Sequence, residues 1–217
     1  MFFKRIISRH LSQALLALAA APGVAACYAQ TVISEVLYDA AGSDNGNVFI
    51  ELYGQPGALL DGFFLDGING GDGSVYRSVM LSGMIPADGI FVIADDSGDG
   101  TTAVSNADLV AEVDWQNGPD SIVLRDDSGI LDALGYGDFS GSVFSGEGSA
   151  APDVPAGSSL ARLSPLVDSD DNLADFFALA DPTPGALPLE SVPLPPAVLL
   201  FLSGIAGIGV VARKQVV

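Results

Sequence analysis

Residues 121–136 read Ser121-Ile122-Val123-Leu124-Arg125-Asp126-Asp127-Ser128-Gly129-Ile130-Leu131-Asp132-Ala133-Leu134-Gly135-Tyr136. Two apolar runs flank Asp126-Asp127-Ser128-Gly129, a group of small polar residues that favours a turn. Gly129 can adopt the positive φ such a turn requires, so the stretch predicts a β-hairpin. Working outward, Thr31–Tyr38, Val48–Tyr53 and Gly89–Ala94 are further short apolar or alternating runs, set between clusters of Gly, Asp, Asn and Ser. Helical periodicity is scarce. The pattern predicts an all-β chain, an antiparallel sandwich or barrel.

Both ends of the chain carry addresses. Lys4, Arg5 and Arg9 precede an apolar run from Leu11 to Ala21, and small residues follow to Ala29. This is the layout of a secretory signal peptide over residues 1–29, with cleavage expected after Ala29. A competing cut after Ala26 would expose Cys27, since Val24-Ala25-Ala26-Cys27 looks like a lipobox. Cys27 is the single cysteine of the chain, which excludes an internal disulfide. At the other end, residues 188–217 contain the proline box Val192-Pro193-Leu194-Pro195-Pro196, an uncharged run to Ala212, and Arg213-Lys214. The 21 uncharged residues from Val192 to Ala212 match the roughly 20 needed to span a bilayer as a helix, and the basic pair would stay cytoplasmic. Proline box, glycine-bearing helix at 197–212 and basic end together resemble the PEP-CTERM sorting signal of Gram-negative surface proteins. The resemblance implies processing by a membrane-embedded exosortase, transient residence in the inner membrane, and delivery to the cell surface or the extracellular matrix. The alternative is an ordinary single-pass anchor.

What remains, residues 30–187, has the size of one domain. All 27 acidic residues lie between Glu35 and Glu190, against three basic ones, Arg77, Arg125 and Arg162, a net of −24. So negative a surface repels phosphate backbones, and direct nucleic-acid binding is not expected. It favours solubility and attracts divalent cations.

The runs already quoted carry a second resemblance. Ile33-Ser34-Glu35-Val36-Leu37-Tyr38 is followed by Asn45-Gly46-Asn47-Val48-Phe49-Ile50-Glu51-Leu52-Tyr53. Later come Trp115-Gln116-Asn117-Gly118-Pro119-Asp120-Ser121, Val123-Leu124-Arg125-Asp126, Asp132-Ala133-Leu134-Gly135-Tyr136-Gly137 and Gly146-Glu147-Gly148. Ser159-Leu160-Ala161-Arg162, Asp168-Ser169-Asp170-Asp171-Asn172, Asp175-Phe176 and Pro182-Thr183-Pro184-Gly185-Ala186 complete the series. In this order the pieces resemble a lamin-tail domain across nearly the whole of residues 30–187. The resemblance implies an immunoglobulin-like antiparallel β-sandwich. One departure is Val48, where the bacterial pattern usually has Glu.

Between Gln30 and Leu187 there is no His, Cys or Lys. Nucleophile systems built on imidazole, thiol or amine are therefore excluded from the domain, as are His-based metal sites and a lysine-completed phosphate loop. Carboxylates alone remain for acid–base work. They leave open a carboxylate-dependent extracellular glycan hydrolase, but with 27 acids some pair always falls near the required spacing. Calcium, which takes six to eight oxygens, is the candidate cofactor. Three stretches offer oxygens: Asp168, Asp170, Asp171 and Asn172; Asp95 to Gly100, with Asp95 and Asp99 as ligands; and Asp39, Asp44, Asn45 and Asn47. For each the competing reading is a solvated turn, which Asp, Asn, Ser and Gly favour for backbone reasons. Trp115, Phe49, Tyr53, Phe63, Phe64, Phe91, Tyr136, Phe176 and Phe177 read as packing rather than as a sugar platform. Arg125 and Arg162 read as structural partners of nearby carboxylates, worth little if exposed.

The expectation is an exported, non-catalytic surface or matrix protein, linked by its sorting signal to exopolysaccharide and biofilm, with acidic polysaccharide as the partner and calcium as the bridge. Accessory service to an extracellular nuclease or phosphoesterase is a further alternative, because lamin-tail domains are often fused to such enzymes.

Overall fold

The structure, a computed structural model, describes residues 30–164 and 167–188. The expected signal peptide, the proline box, the apolar run and the basic end lie outside the described residues. Within them the chain forms β1 (Val32–Leu37), β2 (Phe49–Tyr53), β3 (Phe64–Asn69), β4 (Val75–Met80), β5 (Ile90–Asp95), β6 (Leu109–Ala111), β7 (Asp120–Asp126), β8 (Gly129–Tyr136), β9 (Ser159–Arg162), the single helical turn α1 (Asn172–Asp175), and β10 (Phe176–Leu179).

The 121–136 stretch forms the expected hairpin. Asp126 and Gly129 face each other across the turn, where Asp126 Oδ1 accepts the N–H groups of Ser128 (2.7 Å) and Gly129 (3.1 Å). Gly129 has φ of 145°. A bulge follows at once, because Leu124 faces Asp132 while Arg125 faces Ile130. Beyond it, Leu124, Ile122, Leu134 and Tyr136 all turn into the core.

Two sheets stack on that core. One has six strands in the order β10-β9-β1-β2-β5-β6, the other four in the order β4-β3-β7-β8. Every pairing is antiparallel except that of β5 with β6. The described residues thus form an all-β sandwich with almost no helix, as the turn-punctuated sequence predicted. Between the sheets lie Ile33, Val36, Ile50, Leu52, Phe91 and Ile93 from one side and Leu65, Val79, Ile122, Leu124 and Leu134 from the other, with Trp115 and Tyr136 filling one end.

The six-stranded sheet is buried on both faces, which accounts for six buried residues out of six in both β1 and β5. Its outer face carries Leu37, Val48, Phe49, Ile90 and Val92, with Tyr53, Val104 and Leu187 packed against them. Leu187 belongs to the C-terminal segment, which returns across this face as a strap.

Trp115, Phe49, Phe91, Tyr136 and Phe176 are buried, in accord with their reading as core, while Tyr53, Phe63, Phe64 and Phe177 are half-buried. Tyr38 stacks on Tyr136 with ring centroids 4.3 Å apart. β3 and β4 were not evident in the sequence, because Asp66, Gly67 and Arg77 interrupt the apolar alternation. Asp66 is accommodated by its neighbour on β7, Arg125, whose guanidinium also lies 4.4 Å over the ring of Phe64.

Candidate functional site

β9 turns Arg162 inward, where its side chain is fully buried. All three guanidinium nitrogens are engaged. Nε donates to the Ile33 carbonyl at 3.0 Å, and Nη2 donates to both oxygens of Asp132 at 2.9 Å. Nη1 donates to Asp175 Oδ2 at 2.9 Å and to Asp168 Oδ1 at 3.1 Å. Asp132 stands on β8 of the opposite sheet and also accepts the Ile33 N–H, so Arg162 ties the two sheets together. The sequence reading assigned it a structural role but could not show burial. Burial makes the difference, since breaking a buried pair costs about 3–5 kcal/mol where an exposed one is worth less than about 1 kcal/mol.

Glu147 reaches the same group from the loop after β8. Oxygens of Asp132, Glu147 and Asp168 lie within 4.8 Å of one another. Glu147 Oε2 is buried without a hydrogen-bond partner. Desolvation, followed by the charges of Asp132 and Asp168, pushes the Glu147 carboxyl up to about 8. Four carboxylates, counting Asp175, thus surround one guanidinium. Both hydrogen bonds to Asp168 fall on Oδ1, and its Oδ2 is turned to neither donor.

The four residues expected to form a cation loop divide by task. Asp168 joins the carboxylate group. Asp170 takes a positive φ of 54° and is exposed. Asp171 caps α1, accepting from Leu173 N (3.2 Å) and from Ser149 N (3.0 Å). Asn172 is fully buried and fixes the backbone on either side of the site: its Oδ1 accepts from Gly135 N (2.8 Å) and Glu147 N (2.9 Å), and its amide donates to the Ala133 carbonyl (2.8 Å). Asn172 therefore aims Glu147 rather than offering a ligand oxygen. Sequence reasoning missed Glu147 and Asp132, although both stand in the quoted runs.

The other two acidic loops lie side by side, away from this group. Asp95 is buried and accepts from Gly46 N (2.8 Å) and Val113 N (3.1 Å). Asp96 Oδ1 gathers the N–H groups of Gly98, Asp99 and Gly100. Asp99 is exposed and takes both the N–H and the hydroxyl of Thr101, which hold its carboxyl below the usual range. Asp44 accepts from Ala40 N at 2.6 Å. Asp72, Asp126 and Asp138 bind Ser74, Ser128 and Ser140 in the same way. Much of the acidic charge thus serves turn backbones, the role expected of Asp in such loops. Val48, the departure from the lamin-tail pattern, is buried in the outer core of the six-stranded sheet.

A second carboxylate pair, Glu35 and Glu51, is sealed beneath the strap and both residues are fully buried. Their oxygens accept from Ser34, Ser159, Thr183 and Gly185, which leaves a glycan substrate no access. Among the described residues, two open clefts stand out beside the fold. One of about 360 Å³ lies between Asp88, Asp108, Asn106 and Gly185 beside the strap. The other, about 410 Å³, lies on the outer face of the four-stranded sheet over Asp66, Val123, Arg125 and Ile130. No helix among the described residues is long and apolar enough to cross a membrane. Neither a protein-family model nor a curated protein matches the chain.

Proposed function

We propose that the chain is an exported, non-catalytic binding or structural module with the immunoglobulin-like sandwich of a lamin-tail domain. Its PEP-CTERM-like tail is processed by an exosortase, which places the domain at the cell surface or in an exopolysaccharide matrix. A divalent cation, calcium first, links the acidic domain to acidic polysaccharide. The single observation that carries the cation reading is the Asp132–Glu147–Asp168 group, with one buried Glu147 oxygen left without a donor. Hard carboxylate oxygens are the donor set that calcium takes. Asp168 and Glu147 would hold the ion from the solvent side, with Asp132 behind them and shared with Arg162. The absence of His, Cys and Lys from residues 30–187 supports the non-catalytic part of the reading.

The test is a calcium titration of the full chain, read by thermal unfolding and by retention in the polysaccharide matrix. The reading expects a rise in Tm and in retention for the wild type, and neither rise for Glu147→Gln. A wild type indifferent to calcium on both readouts sinks it.

A further inference from the structure

The four sheet edges are protected to different degrees. β8 is capped, since Asn172 takes the Gly135 N–H and donates to the Ala133 carbonyl, and Ala151 bridges Tyr136. β6 has three residues and β10 four. β4 is six residues long, and its Val75 and Met80 are 55% and 67% exposed. The ladder continues past its end, where Leu59 faces Met84, both also more than half exposed. β4 contains no Pro, Lys, Asp or Glu, the residues by which proteins discourage edge-to-edge pairing.

Charge singles out the same strand. Gly73–Ala87 is the longest acid-free run between Glu35 and Glu190, and it carries Arg77. The run nearest to it in length, Val154–Val167, supplies β9, which is interior to its sheet. The two carboxylates nearest to β4 in the hydrogen-bond pattern are already matched, Asp66 by Arg125 and Glu112 by Arg77.

We propose that β4 is a self-association edge, on which a second copy of the chain adds its own β4 antiparallel and extends the four-stranded sheet across a two-fold axis. Copies this acidic repel each other over most approaches, and the acid-free edge is where repulsion is least. An isologous contact places both such patches together and turns the acidic loops apart. Centred on Ser78, the pairing sets Arg77 opposite Val79 rather than opposite its own copy, so no like charges meet across the strands. Added salt screens the remaining repulsion and strengthens the contact, opposite to an association built on ion pairs.

The experiment is sedimentation velocity on the full chain in detergent, over a range of protein and salt concentrations. The expected result is a monomer–dimer equilibrium that shifts toward dimer with salt. Val75→Glu/Met80→Glu weakens it about tenfold or more, while Ile130→Glu/Leu173→Glu, the same charge at equally exposed sites elsewhere, leaves it unchanged. Unaltered thermal unfolding shows that the variants are folded. In a Cys27→Ser background, Ser78→Cys is expected to yield a covalent dimer on mild oxidation. The proposal is overturned by a monomeric wild type at every concentration and salt. Equal weakening by the two double variants overturns it as well, and so does a Ser78→Cys chain that crosslinks to a foreign extended peptide but not to itself.

Discussion

Glu35 and Glu51 face each other in register on β1 and β2, both wholly buried, and together they hold the strap. Glu35 accepts the Thr183 N–H (2.9 Å) and hydroxyl (2.7 Å), and Glu51 accepts the Gly185 N–H (2.9 Å). Desolvation, only partly offset by the bonds from Ser34 and Gly185, pushes the Glu51 carboxyl from 4.5 up to about 7.

That shift fixes a pH dependence. Between 4.5 and 7 the folded chain binds more protons at Glu51 than the unfolded chain does, so stability falls as pH rises. The contribution is complete below 4.5 and lost above 7, and it amounts to about 3 kcal/mol as an upper bound. Glu147 adds a loss of the same sign. Thermal unfolding of wild type and Glu51→Gln from pH 4 to 9, with the difference taken at each pH, is expected to isolate a term that grows from about pH 4.5 and levels off above about 7. A parallel pair of curves would show that Glu51 does not titrate in that range.

Arg162→Met leaves Asp132, Asp168 and Asp175 facing one another without a cation. A loss of about 3–5 kcal/mol is expected in denaturant unfolding. Arg162→Lys is expected to recover only part of it, because an ammonium cannot reproduce the fork that spans Asp132, Asp168 and Asp175. Full rescue by lysine would show that charge, not geometry, joins the sheets here.

Asn172→Ala removes the acceptor shared by Gly135 N and Glu147 N and leaves the Ala133 carbonyl without its donor. The cost is expected at about 1–3 kcal/mol. Because Asn172 also aims Glu147, any calcium-dependent gain in Tm is expected to shrink in this variant. A stability loss with the calcium response intact would separate the two roles.

In cells with and without an exosortase, intact mass and cell fraction are expected to differ. A truncated surface or secreted form in the first becomes a full-length, membrane-bound form in the second. The same mass in both strains would make the tail a plain anchor.

Strands were legible where apolar alternation is unbroken. β1, β2, β5, β7 and β8 coincide with the runs read from the sequence to within a few residues. β3 and β4 were not, because Asp66 and Arg77 look like loop residues until Arg125 and Glu112 are brought beside them. The acidic loops were legible as turns, and most of their carboxylates cap backbone N–H groups. The carboxylate group at Glu147 was not legible as a unit. Its members come from positions 132, 147 and 168, and the fold alone brings them within 4.8 Å. Even Asp168–Asn172, five residues in a row, splits into an ion-pair partner, an exposed positive-φ residue, a helix cap and a buried clamp.

The strap also decides how the domain bears load. β1 and β2 are the third and fourth strands of six, so a pull on the chain beyond Leu187 first meets Gly185 and Thr183, fastened over the middle of the sheet. Force is thereby met by the side-chain hydrogen bonds of Glu35 and Glu51 before it reaches β10 at the rim. A pull applied at the C-terminal end of the described residues would thus be resisted through the centre of the sheet, with the strap the element that yields first.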